Sequence, residues 1–115
     1  MKKFLSILTL TFASFSLVYA VGFQDNSASK TTIINALKMG NNSYVTVEGN
    51  ILKRVSDDKY IFKDSTGSMT VEIDSDKWNG LTVNTQDKLE LSGEIEKKMT
   101  SVILDVDTVK KVETK

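Results

Sequence analysis

The sequence contains no histidine and no cysteine. Without histidine it lacks the commonest general base, the commonest zinc ligand and every Ser–His or Cys–His catalytic arrangement. Without cysteine it has no disulfide, so its stability rests on a core and a ladder of backbone hydrogen bonds. Only carboxylate or lysine chemistry is left for catalysis, and no spacing singles out a pair of carboxylates. The chain is therefore expected not to be an enzyme, and to carry no cofactor and no metal centre. An excess of positive charge is also missing, since 15 basic side chains face 15 acidic ones. A protein that grips a phosphate backbone needs a basic footprint. This balance argues against nucleic acid as the partner.

What is present begins with MKKFLSILTLTFASFSLVYA. Lys2 and Lys3 form a positive start, Phe4 to Leu17 an uncharged apolar run, and Val18-Tyr19-Ala20 a small-residue cleavage pattern. These are the three parts of a secretory signal peptide over residues 1–20. A membrane anchor needs about 20 consecutive apolar residues, and this run is shorter and broken by Ser and Thr. No cysteine follows it, which excludes a lipoprotein anchor. Cleavage after Ala20 leaves 95 of the 115 residues, one small domain able to bury roughly 60–65% of its unfolded surface. Loss of Lys2 and Lys3 leaves 13 basic against 15 acidic side chains, a net charge of −2. The expectation is a periplasmic monomer with no membrane span after cleavage.

Residues 21–30, VGFQDNSASK, are polar and unpatterned and read as a flexible arm. In TTIINALKMG, the residues Ile33, Ile34, Leu37 and Met39 recur at helical spacing. Ser29, Thr31 or Thr32 can cap its start and Gly40 its end. So short a helix is stable only when packed on something else. Asn41-Asn42-Ser43 is a turn. Strands follow, with Val45, Val47, Gly49 and Ile51 alternating against Thr46, Glu48 and Asn50. KYIFKD and SMTVEID form a hairpin around Ser65-Thr66-Gly67, with Gly67 expected at positive φ. KLELSGEIEKK repeats the first pattern through Leu89, Leu91, Gly93 and Ile95. SVILDVDTVKKV is the last strand; Val109 and Val112 fall out of phase with Val102, Leu104 and Val106, so an irregularity is expected near Thr108. A glycine in mid-strand marks a bend or bulge, as a small barrel needs.

Five strands, two of them bent at glycine, indicate an all-β fold: a small five-stranded OB-fold barrel with a short N-terminal helix, over residues 31–115. The segment SDKWNGLTVNTQ, where many OB-folds carry a helix, has room for one turn of helix at most. The elements VTVEGNI, DDKYIFKDSTG, VEID, WNG and SGEIE, in this order and spacing, resemble the bacterial OB-fold (BOF) family, small exported proteins associated with stress responses. The resemblance covers residues 31–112. It implies a periplasmic location, a barrel with an added N-terminal helix, and a binding module with no assigned catalytic residues. Asn41-Asn42 stands where the family pattern has an acidic pair, which weakens cation binding at that end.

OB-folds usually bind ligands on the outer face of their second and third strands. By alternation Tyr60, Phe62 and Asp64 share one face and Lys59, Ile61 and Lys63 the other. Burying the two aromatics gives the larger hydrophobic gain, so Tyr60 and Phe62 are assigned to the barrel interior. The candidate ligand-binding residues are then Lys59, Lys63, Thr70, Glu72 and Asp74, with Trp78 beside them. Trp78 is either a stacking platform for a sugar or a plug for the open end of the barrel. Outward carboxylates recur at Glu48, Glu72, Asp74, Glu90, Glu94, Glu96, Asp105 and Asp107; they can gather a cation, or simply keep the surface soluble. The segment Asp74 to Gly80 is not an EF-hand loop, because Trp78, Asn79 and Thr85 stand where Asp, Gly and Glu are required. The reading is a periplasmic binding protein of envelope stress tolerance, with a small polar, cationic or glycan ligand. The alternative is an interaction module that docks on an envelope protein and takes no small molecule.

The absence of a basic groove interleaved with exposed aromatics leads to the first prediction. Each missing stacking platform forfeits roughly 1–3 kcal/mol, and each missing phosphate contact its counterion-release free energy. Fluorescence anisotropy with labelled single-stranded DNA and RNA at about 150 mM salt is expected to detect no binding in the micromolar range. Micromolar, salt-sensitive binding would overturn the exclusion.

Overall fold

The computed structural model describes residues 29–113. The expected signal peptide and most of the expected arm lie outside that range. The elements are β1 (Ser29–Thr31), α1 (Ile33–Ala36), β2 (Tyr44–Arg54), β3 (Lys59–Asp64), β4 (Gly67–Glu72), β5 (Leu89–Lys97) and β6 (Val102–Lys111), with a single 3₁₀ turn at Ser75–Trp78 between β4 and β5. β2 is the expected first strand; β1 is an addition. Ser29 and Lys30, expected in the arm, pair in parallel with Val45 and Thr46 of β2.

The sheet runs β1-β2-β3-β4-β6-β5, and β2 also pairs with β5. Five strands, β2-β3-β4-β6-β5, therefore close into a ring, and β1 lies outside it. Closure depends on β2 serving two neighbours in turn. Tyr44 to Gly49 pair with β5, and Asn50 to Arg54 pair with β3. The change of partner falls at Gly49, where a Cβ would overlap the Lys63 carbonyl. Gly93 plays the same part on β5, where a Cβ would overlap the Asp105 carbonyl. Both mid-strand glycines are thus places of close backbone approach, and at Gly93 the expected irregularity is a bulge in the pairing with β6. The irregularity expected near Thr108 is a bulge: Ser92 pairs with Thr108 but Gly93 with Val106, leaving Asp107 as the extra residue. A second bulge at Leu52 separates the Ile51–Phe62 and Lys53–Ile61 pairs.

The inward side chains follow the alternation of each strand. Val45, Val47, Ile51, Phe62, Met69, Val71, Ile73, Leu89, Leu91, Ile95, Leu104 and Val106 form one buried cluster, joined by Ile33 and Ala36 of α1. Phe62 is fully buried, as expected. Tyr60 is a correction: it is only half-buried and stands edge-on to Trp78, with ring centroids 5.6 Å apart. Tyr60 pairs with Arg54 at the very end of β2, beyond the bulge. It therefore reaches the barrel mouth rather than the interior. Trp78 packs against the core from the same end, in the manner of a plug.

The helix is shorter than its spacing suggests. It ends at Ala36, with single turns continuing through Lys38 and Met39. Thr32 is its N-cap, the Oγ1 accepting from the Asn35 N–H at 3.3 Å. The rest of its start is held by the β3–β4 turn: Asp64 Oδ2 accepts from the Ile33 N–H at 3.0 Å, and Thr66 Oγ1 from the Ile34 N–H at 3.1 Å. The other oxygen of Asp64 accepts from the Thr66 N–H, the Thr66 hydroxyl and the Gly67 N–H. Burial pushes the Asp64 carboxyl up, but the Thr66 hydroxyl and these N–H groups outweigh it and hold its pKa below the ordinary 3.8. Gly67 does not have the expected positive φ. The turn is built by the Asp64 side chain, with glycine following at the fourth position of a two-residue hairpin.

Two substitutions test this packing. Phe62→Ala is expected to cost about 3–5 kcal/mol, as for a buried aromatic. Gly49→Ala, which adds one methyl group, is expected to cost about 2 kcal/mol or more because the methyl meets backbone that cannot yield. Urea denaturation measures both; an unchanged midpoint for Gly49→Ala would mean that β2 does not bend there.

Candidate ligand-binding face

The ring places the outward residues of β4, β6 and β5 side by side. Glu72 is in register with Asp105, and Asp105 with Glu94. One row of carboxylates therefore crosses three strands. One step along, Thr70 lies beside Ile103 and Ile103 beside Glu96. The β2–β3 loop and the chain leaving β4 add to the row at its β3 end. Carboxylate oxygens of Asp58, Glu72 and Asp74 lie within 4.8 Å of one another. At the other end Asp74, Lys77, Glu94, Asp105 and Asp107 surround a depression of about 310 Å³ beside Tyr44.

Few cations balance this charge. Lys59 lies 3.7 Å from Asp58 and 4.0 Å from Glu72. Lys77 is 3.3 Å from Asp107, which also accepts from the Tyr44 hydroxyl at 2.9 Å. These hydrogen bonds from Tyr44 and Lys77 lower the Asp107 pKa. Glu94 accepts from the Asn42 side chain at 2.8 Å. Glu72 and Asp105 are in a different position. Burial raises the Glu72 pKa, the charges of Asp58, Asp105 and Asp74 raise it further, and Lys59 opposes them incompletely. Burial likewise raises Asp105, with Glu96, Asp74 and Glu94 adding to the effect against Lys77. Burial first, and the neighbouring carboxylates second, hold these two groups above their ordinary range, so their negative charge is only partly balanced.

The residues expected from the sequence divide among three places. Lys59, Thr70, Glu72 and Asp74 fall on or beside this acidic flank. Lys63 pairs with Ser68 at the far end of the hairpin and lines a separate depression with Glu48, Asn50, Asp64 and Lys88. Trp78 faces the barrel end with Tyr60. Asp58 was not singled out by the sequence, nor was the pairing of Glu72 with Asp105. The parity of LDVD pointed Asp105 outward, but only the parallel β4–β6 pairing shows what lies next to it. Asn41 and Asn42 are structural here: Asn42 adopts a left-handed conformation, its N–H bonds to the Ile95 carbonyl at 2.7 Å, and Asn41 Oδ1 accepts from the Lys97 N–H at 2.8 Å. No described helix is long and apolar enough to cross a membrane.

Fold and face together define an OB-fold protein with a carboxylate-rich flank. The sequence model described as Bacterial OB fold (BOF) protein matches residues 14–111, and the chain belongs to that family. It is 44% identical to the protein YgiW of Escherichia coli over 86 residues, 75% of this chain and 66% of YgiW, slightly under two thirds of that protein's length. It is 34% identical over 92 residues to the calcium-regulated OB-fold protein CarO of Pseudomonas aeruginosa, covering 78% of this chain and 79% of CarO. The solved structure of E. coli YgiW superposes with a TM-score of 0.72 at 40% identity, over 75% of this chain and 97% of that one. The second OB-fold domain of replication protein A from Methanococcus maripaludis superposes at 0.53 with 19% identity, over 75% of this chain and 97% of that domain, a likeness of fold alone.

The raised carboxylates yield a signed prediction. A carboxyl whose pKa is higher folded than unfolded binds its proton more tightly in the native state. Stability is therefore lost as pH rises from the ordinary value of 3.8 through the raised one. Above that window the full penalty applies. Asp105→Asn is accordingly expected to raise the melting temperature at neutral pH, with the gain fading below the ordinary carboxylate pKa. A variant that melts lower than the parent at pH 7 would show that Asp105 is favourably paired.

Proposed function

We propose that the protein is a periplasmic binding module, not an enzyme, that takes a small cationic ligand on the acidic flank of its barrel and serves envelope stress tolerance. The observation that carries this reading is the carboxylate row itself, Glu72 beside Asp105 and Asp105 beside Glu94, with the carboxylates of Asp58 and Asp74 gathered at Glu72. A cation seated there removes the repulsion that the unliganded fold bears. The triad of Asp58, Glu72 and Asp74 offers hard oxygen ligands from two separate loops and a strand end, the donor type that calcium takes. A relative bears calcium regulation in its name, which makes calcium the first cation to try. The leader-like residues 1–20 and the family support export. Lys59 has the role of a built-in competitor, reaching two of the three carboxylates.

The test is thermal melting with Ca²⁺, Mg²⁺ and spermidine in parallel. A ligand that binds only the folded state at 100 times its Kd stabilises by about 2.7 kcal/mol. At least one of the three is expected to raise the melting temperature in a saturable manner. Glu72→Lys is expected to abolish that rise while the unliganded protein still melts cooperatively, because Glu72 points outward from β4. Three flat titrations, or a full response in Glu72→Lys, would reject the acidic flank as the site.

A further inference from the structure

We propose that the barrel carries a second site of opposite character, a groove at its open end that takes a small amphipathic anion. It goes beyond the cationic reading and uses none of its residues. The groove is about 360 Å³, within the range of roughly 300–1,000 Å³ usual for small-molecule sites. Ile51, Tyr60 and Trp78 line it together with Leu81 and Val83 of the loop before β5. Lys53 and Arg54 stand at its rim, and no carboxylate lines it.

The groove exists because of what the sequence omits. The connection that carries a helix in many OB-folds is here one 3₁₀ turn followed by a loop, whose Leu81 and Val83 line the groove together with Trp78. The loop is nevertheless fixed. Asn79 and Gly80 reverse the chain at φ 52° and 81°, and the Leu81 N–H bonds to the Trp78 carbonyl at 3.0 Å. Farther on, the Asn50 side chain donates to the carbonyls of Thr85 and Asp87 at 3.2 and 2.9 Å. Tyr60 is held edge-on against Trp78. The apolar surface is thus pre-formed, and apolar surface left open to water favours a ligand that covers it.

The sign of the ligand follows from the rim. Arg54 is oriented by bonds from Nε to the Ser56 carbonyl at 3.1 Å and from Nη2 to the Asp57 carbonyl at 2.9 Å, with its guanidinium 5.9 Å from the Tyr60 ring centroid. Those bonds use two of five donors and go to neutral oxygens. Neither Lys53 nor Arg54 forms an ion pair with a described carboxylate, although the described surface holds seven such pairs. An oriented guanidinium with donors to spare, above an aromatic and aliphatic floor, suits a carboxylate on an apolar body. A free cation on the same body gains the floor but meets like charge at the rim.

Trp78 is the chain's single tryptophan, so its fluorescence reports on this groove directly. The experiment titrates the full chain with phenylbutyrate and, separately, with phenylbutylamine, its cationic counterpart. Phenylbutyrate is expected to shift the Trp78 emission saturably, at concentrations about tenfold lower than the amine, the factor that one charge-assisted hydrogen bond supplies. Lys53→Glu, which leaves the Arg54 bonds to the loop intact, is expected to weaken phenylbutyrate by a similar factor and to narrow its lead over the amine. Val83→Arg is expected to fill the groove and abolish both responses. Glu72→Gln, on the acidic flank, is expected to change neither, which separates this site from the cationic one. Equal responses to acid and amine, or indifference to Lys53→Glu and Val83→Arg in variants that melt like the parent, would overturn the proposal.

Discussion

The structure depends on one strand being shared. β2 is long enough to pair with β5 through its first half and β3 through its second, and the exchange at Gly49 turns an open sheet into a ring. A residue with a side chain there would hold β2 away from the Lys63 carbonyl and leave the ring open. An open sheet of this size would expose two edges and much of the core to water, and without disulfides nothing else would hold it. Gly93 makes the matching approach on the neighbouring strand. Two residues without side chains thus decide whether the inward residues of the barrel meet as one core.

Closure has a second consequence, on the outside. It makes β4 and β6 parallel neighbours, and so brings Glu72, Asp105 and Glu94 into one row although they lie far apart in the chain. Each is half-buried by its neighbours' side chains. The same packing that stabilises the ring therefore removes water from like charges, and the penalty appears as raised pKa values at Glu72 and Asp105. Stable proteins usually relieve such contacts with a counter-charge. Here Asp107 receives one from Lys77 and Glu94 a neutral donor from Asn42, while Lys59 is divided between two acids. The contrast lies within one patch, between carboxylates that are satisfied and carboxylates that are not.

How much of this was legible in the sequence follows from the range of the interactions. Period-two alternation fixed which side chains of each strand face inward, because the pleat imposes it locally. The mid-strand glycines and the phase break before Val109 marked the bends and the Asp107 bulge. Local patterns could not place Tyr60, whose parity matches Phe62 but whose position beyond the Leu52 bulge puts it at the barrel mouth. They could not show that the β3–β4 turn also holds the start of α1, since Asp64 and Thr66 lie about thirty residues from their partners, the N–H groups of Ile33 and Ile34. The parallel strand β1 was hidden for the same reason. Three residues of SKT have no period of their own, and only the exposed edge of β2 makes them a strand. The acidic row was legible as a list of outward carboxylates and illegible as a cluster.

The balanced overall charge conceals how the charges are sorted. Acids gather where β4, β6 and β5 run side by side, and Lys53 and Arg54 stand at the rim of the barrel end. The boundary between these regions is the short turn at Ser75–Trp78. Asp74 enters it from the acidic triad, Lys77 on it ties down Asp107, and Trp78 leaves it to close on Tyr60. A full helix at this point would bury the barrel end, as the OB architecture allows. It would also carry Asp74 and Trp78 further apart. With a single turn the five residues from Asp74 to Trp78 place a carboxylate of the acidic triad at one end and an aromatic wall at the other. The shortened connection is therefore the physical reason that a chain of so few residues presents two chemically opposite surfaces.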